Sequence, residues 1–211
     1  MCEPKTTYLH RGGYVRLSVV ALALIFVAAI VTAQSSWLPP QAEDGTARQL
    51  ATRVAEIGVG STDETRLAAA HQLVDRVRER LESWGEETSD HAPEFAELDV
   101  PESGRPSLDA MARFQICNMV LMIQLQDPDF ADDEDAKLSS VTGLTAFTLA
   151  VLYLRHPFLE AGGADGEIEA FLTSDSMGSI LDRIQSEPAA RAHIDRECTP
   201  PLKALVDPPA Q

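Results

Sequence analysis

Apolar residues are distributed along this chain in three different ways, and each pattern predicts a different element. From Leu17 to Ala33 they run almost unbroken, LSVVALALIFVAAIVTA, behind the segment Met1 to Arg16 with its Lys5, Arg11 and Arg16. Such a run after positive charge is the mark of an export signal or a membrane anchor, because cationic residues resist translocation and hold the N-terminus in the cytoplasm. The first pattern therefore predicts that everything beyond Ala33 lies outside the cytoplasm. Val31 and Ala33 suit a signal peptidase, so cleavage between Ala33 and Gln34 is the first expectation. The alternative is retention of 17–33 as a single-pass anchor, since the run is about as long as the shortest membrane-spanning helices and Trp37 would fall at the interface. Residues 34–45, QSSWLPPQAEDG, carry two prolines and no periodicity and read as a linker.

The second pattern is a helical stripe. Ala47, Leu50, Val54 and Ile57 recur three and four apart, and Gly58 and Gly60 stop that helix. Ser61 with Glu64 forms a capping box for a second helix carrying Leu67, Ala70, Val74, Val77, Leu81 and Trp84 on one face. Gly85 ends it. The short connection predicts an αα-hairpin over 46–85. Its stripe is expected to face the body of the protein, with a partner groove or dimer seam as the other use. Residues 86–106, EETSDHAPEFAELDVPESGRP, break the pattern and read as an acidic loop or linker, unless PEFAEL hides a helical turn.

The third pattern is apolar nearly all round, which places a helix at the centre of a fold. A helix capped by Ser107 should run to about Gln126, with Asn118 needing hydrogen-bond partners inside its apolar half. A second should run from Ala136 to Arg155 and stop at His156-Pro157. Its stretch 138–154 approaches membrane-span length, but Ser139, Ser140, Thr142, Gly143, Thr145 and Thr148 dilute it, and 116–125 is too short to return across a bilayer. A buried helical pair is the better reading. Short helices follow near 167–172, 176–186 and 188–198, the last capped by Ser186 with Pro188 in its first turn, and TPPLKALVDPPAQ should fray. Almost nothing reads as strand. The fold class is all-α: an αα-hairpin and a helical core over 107–205, behind the export segment.

Chemistry enters last because little of it changes this picture. With 33 acidic against 17 basic residues the chain carries a net charge of −16, more negative still beyond Ala33. That surface argues against nucleic acid as a partner and leaves 17–33, if uncleaved, as the one membrane contact. Of three cysteines, Cys2 lies ahead of the run, so Cys117 and Cys198 remain in an oxidising compartment. They are expected to form a disulfide closing a loop of about 80 residues, two buried thiols being the alternative. No hydrolase, zincin, phosphate-loop or dinucleotide motif occurs, and no cofactor is implied.

The weak metal candidates are Asp127, Asp129 and Asp132, crowded with Asp133, Glu134 and Asp135 in one loop. Calcium takes six to eight oxygens, but the EF-hand glycine and spacing are missing, so a solvated loop is the simpler reading. His193 with Glu197, and His71 with Asp75, give two ligands on one helix face where zinc needs three or four. Glu102-Ser103 resembles the Glu-Ser pair of lytic transglycosylases over three residues, between Pro101 and Pro106 in a loop instead of on a helix. The expected function is an exported, disulfide-stapled helical binding or accessory protein without catalysis. The alternatives are an envelope hydrolase using a carboxylate pair from 94–135, or an anchored subunit of an envelope complex.

Overall fold

Leu73, Val74, Val77 and Leu81 are all buried, and their spacing fixes the inner face of α1 (Glu64–Trp84). The computed structural model describes residues 64–127 and 133–207, and the statements below concern these. The leader at 1–33, the linker, the first helix of the expected hairpin, Ser61, Asp129 and Asp132 lie outside the described residues. The fold is all-α. Gly85, at φ +54°, ends α1 because it reaches the left-handed region without a Cβ clash.

The two apolar helices are α2 (Pro106–Leu125) and α3 (Glu134–Glu160). They lie antiparallel: Arg105 sits over Phe158, the Phe114 and Phe147 rings are 5.8 Å apart, and Leu121 meets Gly143. A Cβ at Gly143 would fall 2.6 Å from a Leu121 methyl, so the glycine leaves room for that side chain between the helices. Phe114, Phe147 and Phe158 are fully buried, each burial stabilising the fold by about 1.5–3 kcal/mol. By length and composition α3 would also suffice as a membrane span, but 67% of its apolar window is buried within the protein.

Short helices close the other side. α4 (Asp165–Leu172) inserts Ile168 and Leu172, and α5 (Asp175–Ser186) inserts Met177, Ile180 and Ile184 at three- and four-residue spacing. Ser174 Oγ caps α5 by accepting from Met177 N–H. α6 (Pro188–Val206) crosses α2, α3 and α1, burying Ile194, Cys198, Pro201 and Leu205.

Four local expectations give way to packing. Ser107 does not cap α2; Pro106 is its first residue, with φ preset and no N–H to satisfy. Ser186 does not cap α6 either, since its hydroxyl donates to the Asp182 carbonyl inside α5. Pro157 does not stop α3, which runs on for one turn because Phe158 is anchored in the core. Nor does α6 fray at Pro200-Pro201: it continues to Val206, held by the burial of Pro201 and Leu205. Between α1 and α2 the acidic stretch opens as a 3-10 helix (Gly85–His91), where Trp84 stacks on His91 at 3.9 Å. Ala92, Phe95 and Leu98 then anchor it to the same core, with a turn closed by Leu98 N–H donating to the Phe95 carbonyl.

α3 ends in a Schellman turn. Gly162, at φ +82°, donates to the Leu159 carbonyl and Gly163 to that of Phe158. This folds Gly163 onto the Phe158 ring, where an added Cβ would come within 2.3 Å of the ring carbons. Gly163→Ala is therefore expected to cost about 1–3 kcal/mol through overpacking, whereas Gly166→Ala, whose Cβ meets nothing within 4 Å, should not. Urea melts of both variants check this.

Candidate functional site

Two groups of polar side chains stand out against this apolar body. The first occupies the corner where α2 begins and α3 turns into α4. Arg155 is buried on α3 and donates from Nε and Nη2 to the two Asp165 carboxylate oxygens, each at 2.9 Å. That bidentate pair locks the first turn of α4. Arg105 lies beside it, 5.3 Å above the Phe158 ring and 3.6 Å from Glu167, with Nη1 buried and unpartnered among the described residues. Ser103 Oγ donates to Asp109 Oδ1 at 2.7 Å, and the same oxygen accepts from Ser103 N–H. The corner is held by charge pairs and a cation over a ring, a stable edge with its carboxylates already engaged.

The second group is the seam between α2 and α3. Asn118 and Gln115 are three apart on α2 and each is 1% exposed. Asn118 Nδ2 donates to Gln115 Oε1 at 3.3 Å and faces Thr148 Oγ1 on α3 at 3.5 Å. Gln115 Nε2 and Asn118 Oδ1 have no partner among the described residues. Cys117 lies between them in sequence and is joined to Cys198 of α6, with the Cα atoms 5.8 Å apart. The periodicity marks Asn118 as an anomaly needing partners, but it gives no hint that Gln115 joins it. Only the antiparallel pairing of α2 and α3 brings Thr148 to the same point.

The other singled-out residues that are described do not converge. Asp127 and Asp133 flank residues outside the description, and Asp133 Oδ1 caps α3 by accepting from Ala136 N–H. Among the described residues no three His, Cys, Asp or Glu side chains are grouped to hold a metal. His193 is not paired with Glu197; its Nε2 is 3.9 Å from Glu97 and its Nδ1 3.4 Å from Arg196. His71 and Asp75 stay half-buried on α1. Glu102 is exposed, and Ser103 serves the loop that leads into α2.

Among the described residues, one titrating group is displaced. Burial, and then the charge of Glu82, raise the Tyr153 hydroxyl above its ordinary value of 10.0. The unfolded chain therefore loses this proton first as pH rises. The stability Tyr153 contributes is complete below about pH 10 and falls away as pH climbs through the folded value. Tyr153→Phe should flatten the alkaline limb of a stability–pH curve, which urea melts between neutral and strongly alkaline pH would measure.

Comparison with protein-family models, curated proteins and solved structures finds no match to this chain.

Proposed function

We propose that this chain is an exported helical protein that acts as a binding or accessory module instead of an enzyme, with residues 34–211 periplasmic or otherwise extracytoplasmic. The observation that carries the reading is the pairing of Cys117 with Cys198. They are the two cysteines that follow the cationic, then apolar N-terminal run, and a buried structural disulfide belongs to an oxidising compartment. The use made of four described carboxylates supports the non-catalytic half. Asp109 organises the approach to α2, Asp133 caps α3, and Asp165 and Glu167 pair with arginines. Each is engaged in holding the fold, whereas a hydrolase needs a carboxylate pair at a defined separation across a cleft.

Intact mass of the protein from soluble and membrane fractions of the envelope tests the export half. A species beginning at Gln34, two hydrogens lighter before reduction than after, supports it; a full-length, fully reduced species in the cytosol removes it. Turnover of peptidoglycan by the purified protein, abolished by one carboxylate substitution, would overturn the non-catalytic half. The anchored-subunit reading rests on Trp37 at the expected interface. It predicts a membrane species that retains residues 1–33.

A further inference from the structure

The seam between α2 and α3 presents one donor and one acceptor with no partner among the described residues. Gln115 and Asn118 are each 1% exposed, and Ile116 and Cys117 between them are fully buried, so bulk solvent does not reach either amide. The two amides already share one hydrogen bond, from Asn118 Nδ2 to Gln115 Oε1 at 3.3 Å. The second bond of a cyclic amide pair, from Gln115 Nε2 to Asn118 Oδ1, is not made. Buried polar groups without partners are costly, and native interiors satisfy them with protein or with bound water.

We propose that this seam is a binding site for a single internal water, which accepts from Gln115 Nε2 and donates to Asn118 Oδ1. The chemistry of the two atoms selects it. A cation would face the N–H of Gln115, and an anion would face the carbonyl oxygen of Asn118. A small neutral molecule that both accepts and donates satisfies each. Turning both amides over exchanges donor for acceptor at each position and leaves one of each still open, so the same ligand fits either arrangement. Thr148 Oγ1, 3.5 Å from Asn118 Nδ2, brings α3 into the network. The water thus completes a polar link across a helix pair that is otherwise apolar at this level.

The test is made on the full chain. In solution, the side-chain amide protons of Gln115 should show a rotating-frame cross-peak at the water frequency, with a residence time longer than molecular tumbling. A high-resolution crystal structure should show density within hydrogen-bond reach of both atoms. Direct contact of Gln115 Nε2 with Asn118 Oδ1 or another protein acceptor, without that density, overturns the proposal. Gln115→Leu and Asn118→Leu should each be destabilising, while the double variant should fall well short of their sum, because it removes together the bond the two amides share and the two groups that needed the water. Additive losses would count against a shared ligand. Should these variants not fold, the cross-peak and density of the unsubstituted protein decide the matter alone.

Discussion

Replacing Cys117 and Cys198 together by alanine is expected to remove roughly 4–5 kcal/mol of stability, a large share of the roughly 5–15 kcal/mol that a domain holds. The estimate follows from the sequence separation of 81 residues between the paired cysteines. In the chain-entropy view the bridge acts mainly on the unfolded state, by denying it the conformations in which the ends of that loop lie far apart. Packing adds to the loss, because both side chains are buried and each truncation leaves a gap. Urea melts with and without reductant measure the effect. The unsubstituted protein should lose its advantage once reduced, and the double alanine variant should not respond to reductant. Equal midpoints for the unsubstituted protein in both conditions would show that the bridge does not constrain the chain. Since both sulfurs are buried, reduction should need unfolding or denaturant, so labelling of Cys117 and Cys198 in the native protein by a thiol reagent should stay near zero even with reductant present.

Leu81→Asp is expected to unfold the domain, at a cost above about 4–5 kcal/mol. Leu81 is fully buried in the cluster that also holds Val74 and Val77. The substitution removes a leucine from the core and leaves a carboxylate without water or a counter-ion. This outcome separates two uses of the α1 stripe that the spacing alone leaves open. A partner-binding stripe would give a folded monomer that loses its complex. A core stripe gives loss of helical signal in the isolated protein. Far-ultraviolet circular dichroism with a urea titration decides between them, and Glu79→Lys, on the exposed side of the same helix, serves as the control expected to remain folded.

These two residues show which parts of the architecture can be read from the chain. The α1 stripe and the nearly apolar α2 and α3 are legible because each depends on burial, which is written in residue type and period, and the cysteine pair because only two cysteines follow the N-terminal apolar run. Helix ends are less legible. Ser107 and Ser186 both satisfy the local preference for a cap, yet Arg105 and Glu187 hold the cap positions, with Pro106 and Pro188 first in the two helices. A proline at the first helical position has its φ preset and no amide hydrogen left to satisfy, so it starts the helix without a serine cap. Pro157, Pro200 and Pro201 also fail as stop signals, because Phe158, Pro201 and Leu205 gain more from the core than the missing backbone bonds forfeit. The seam was half legible. Asn118 is conspicuous in ICNMVLMIQL, but Gln115 and Thr148 look like ordinary helical polar residues until the pairing of α2 with α3 puts them beside it.

The prolines of α6 also bear on the order in which the molecule assembles. Pro200 and Pro201 have no amide hydrogens, so the carbonyls of Arg196 and Glu197 lack their usual intrahelical donors. Helix growth from Pro188 has two consecutive steps there that cost conformational entropy and return no backbone bond. The segment from Pro200 to Val206 therefore gains little by zipping and much by docking, through Pro201 and Leu205. Its formation should wait for α1, α2 and α3 to supply the surface. In pulsed hydrogen exchange during refolding, the amides of Leu202 to Val206 should gain protection later than those of Arg191 to Asp195, although one continuous helix carries both.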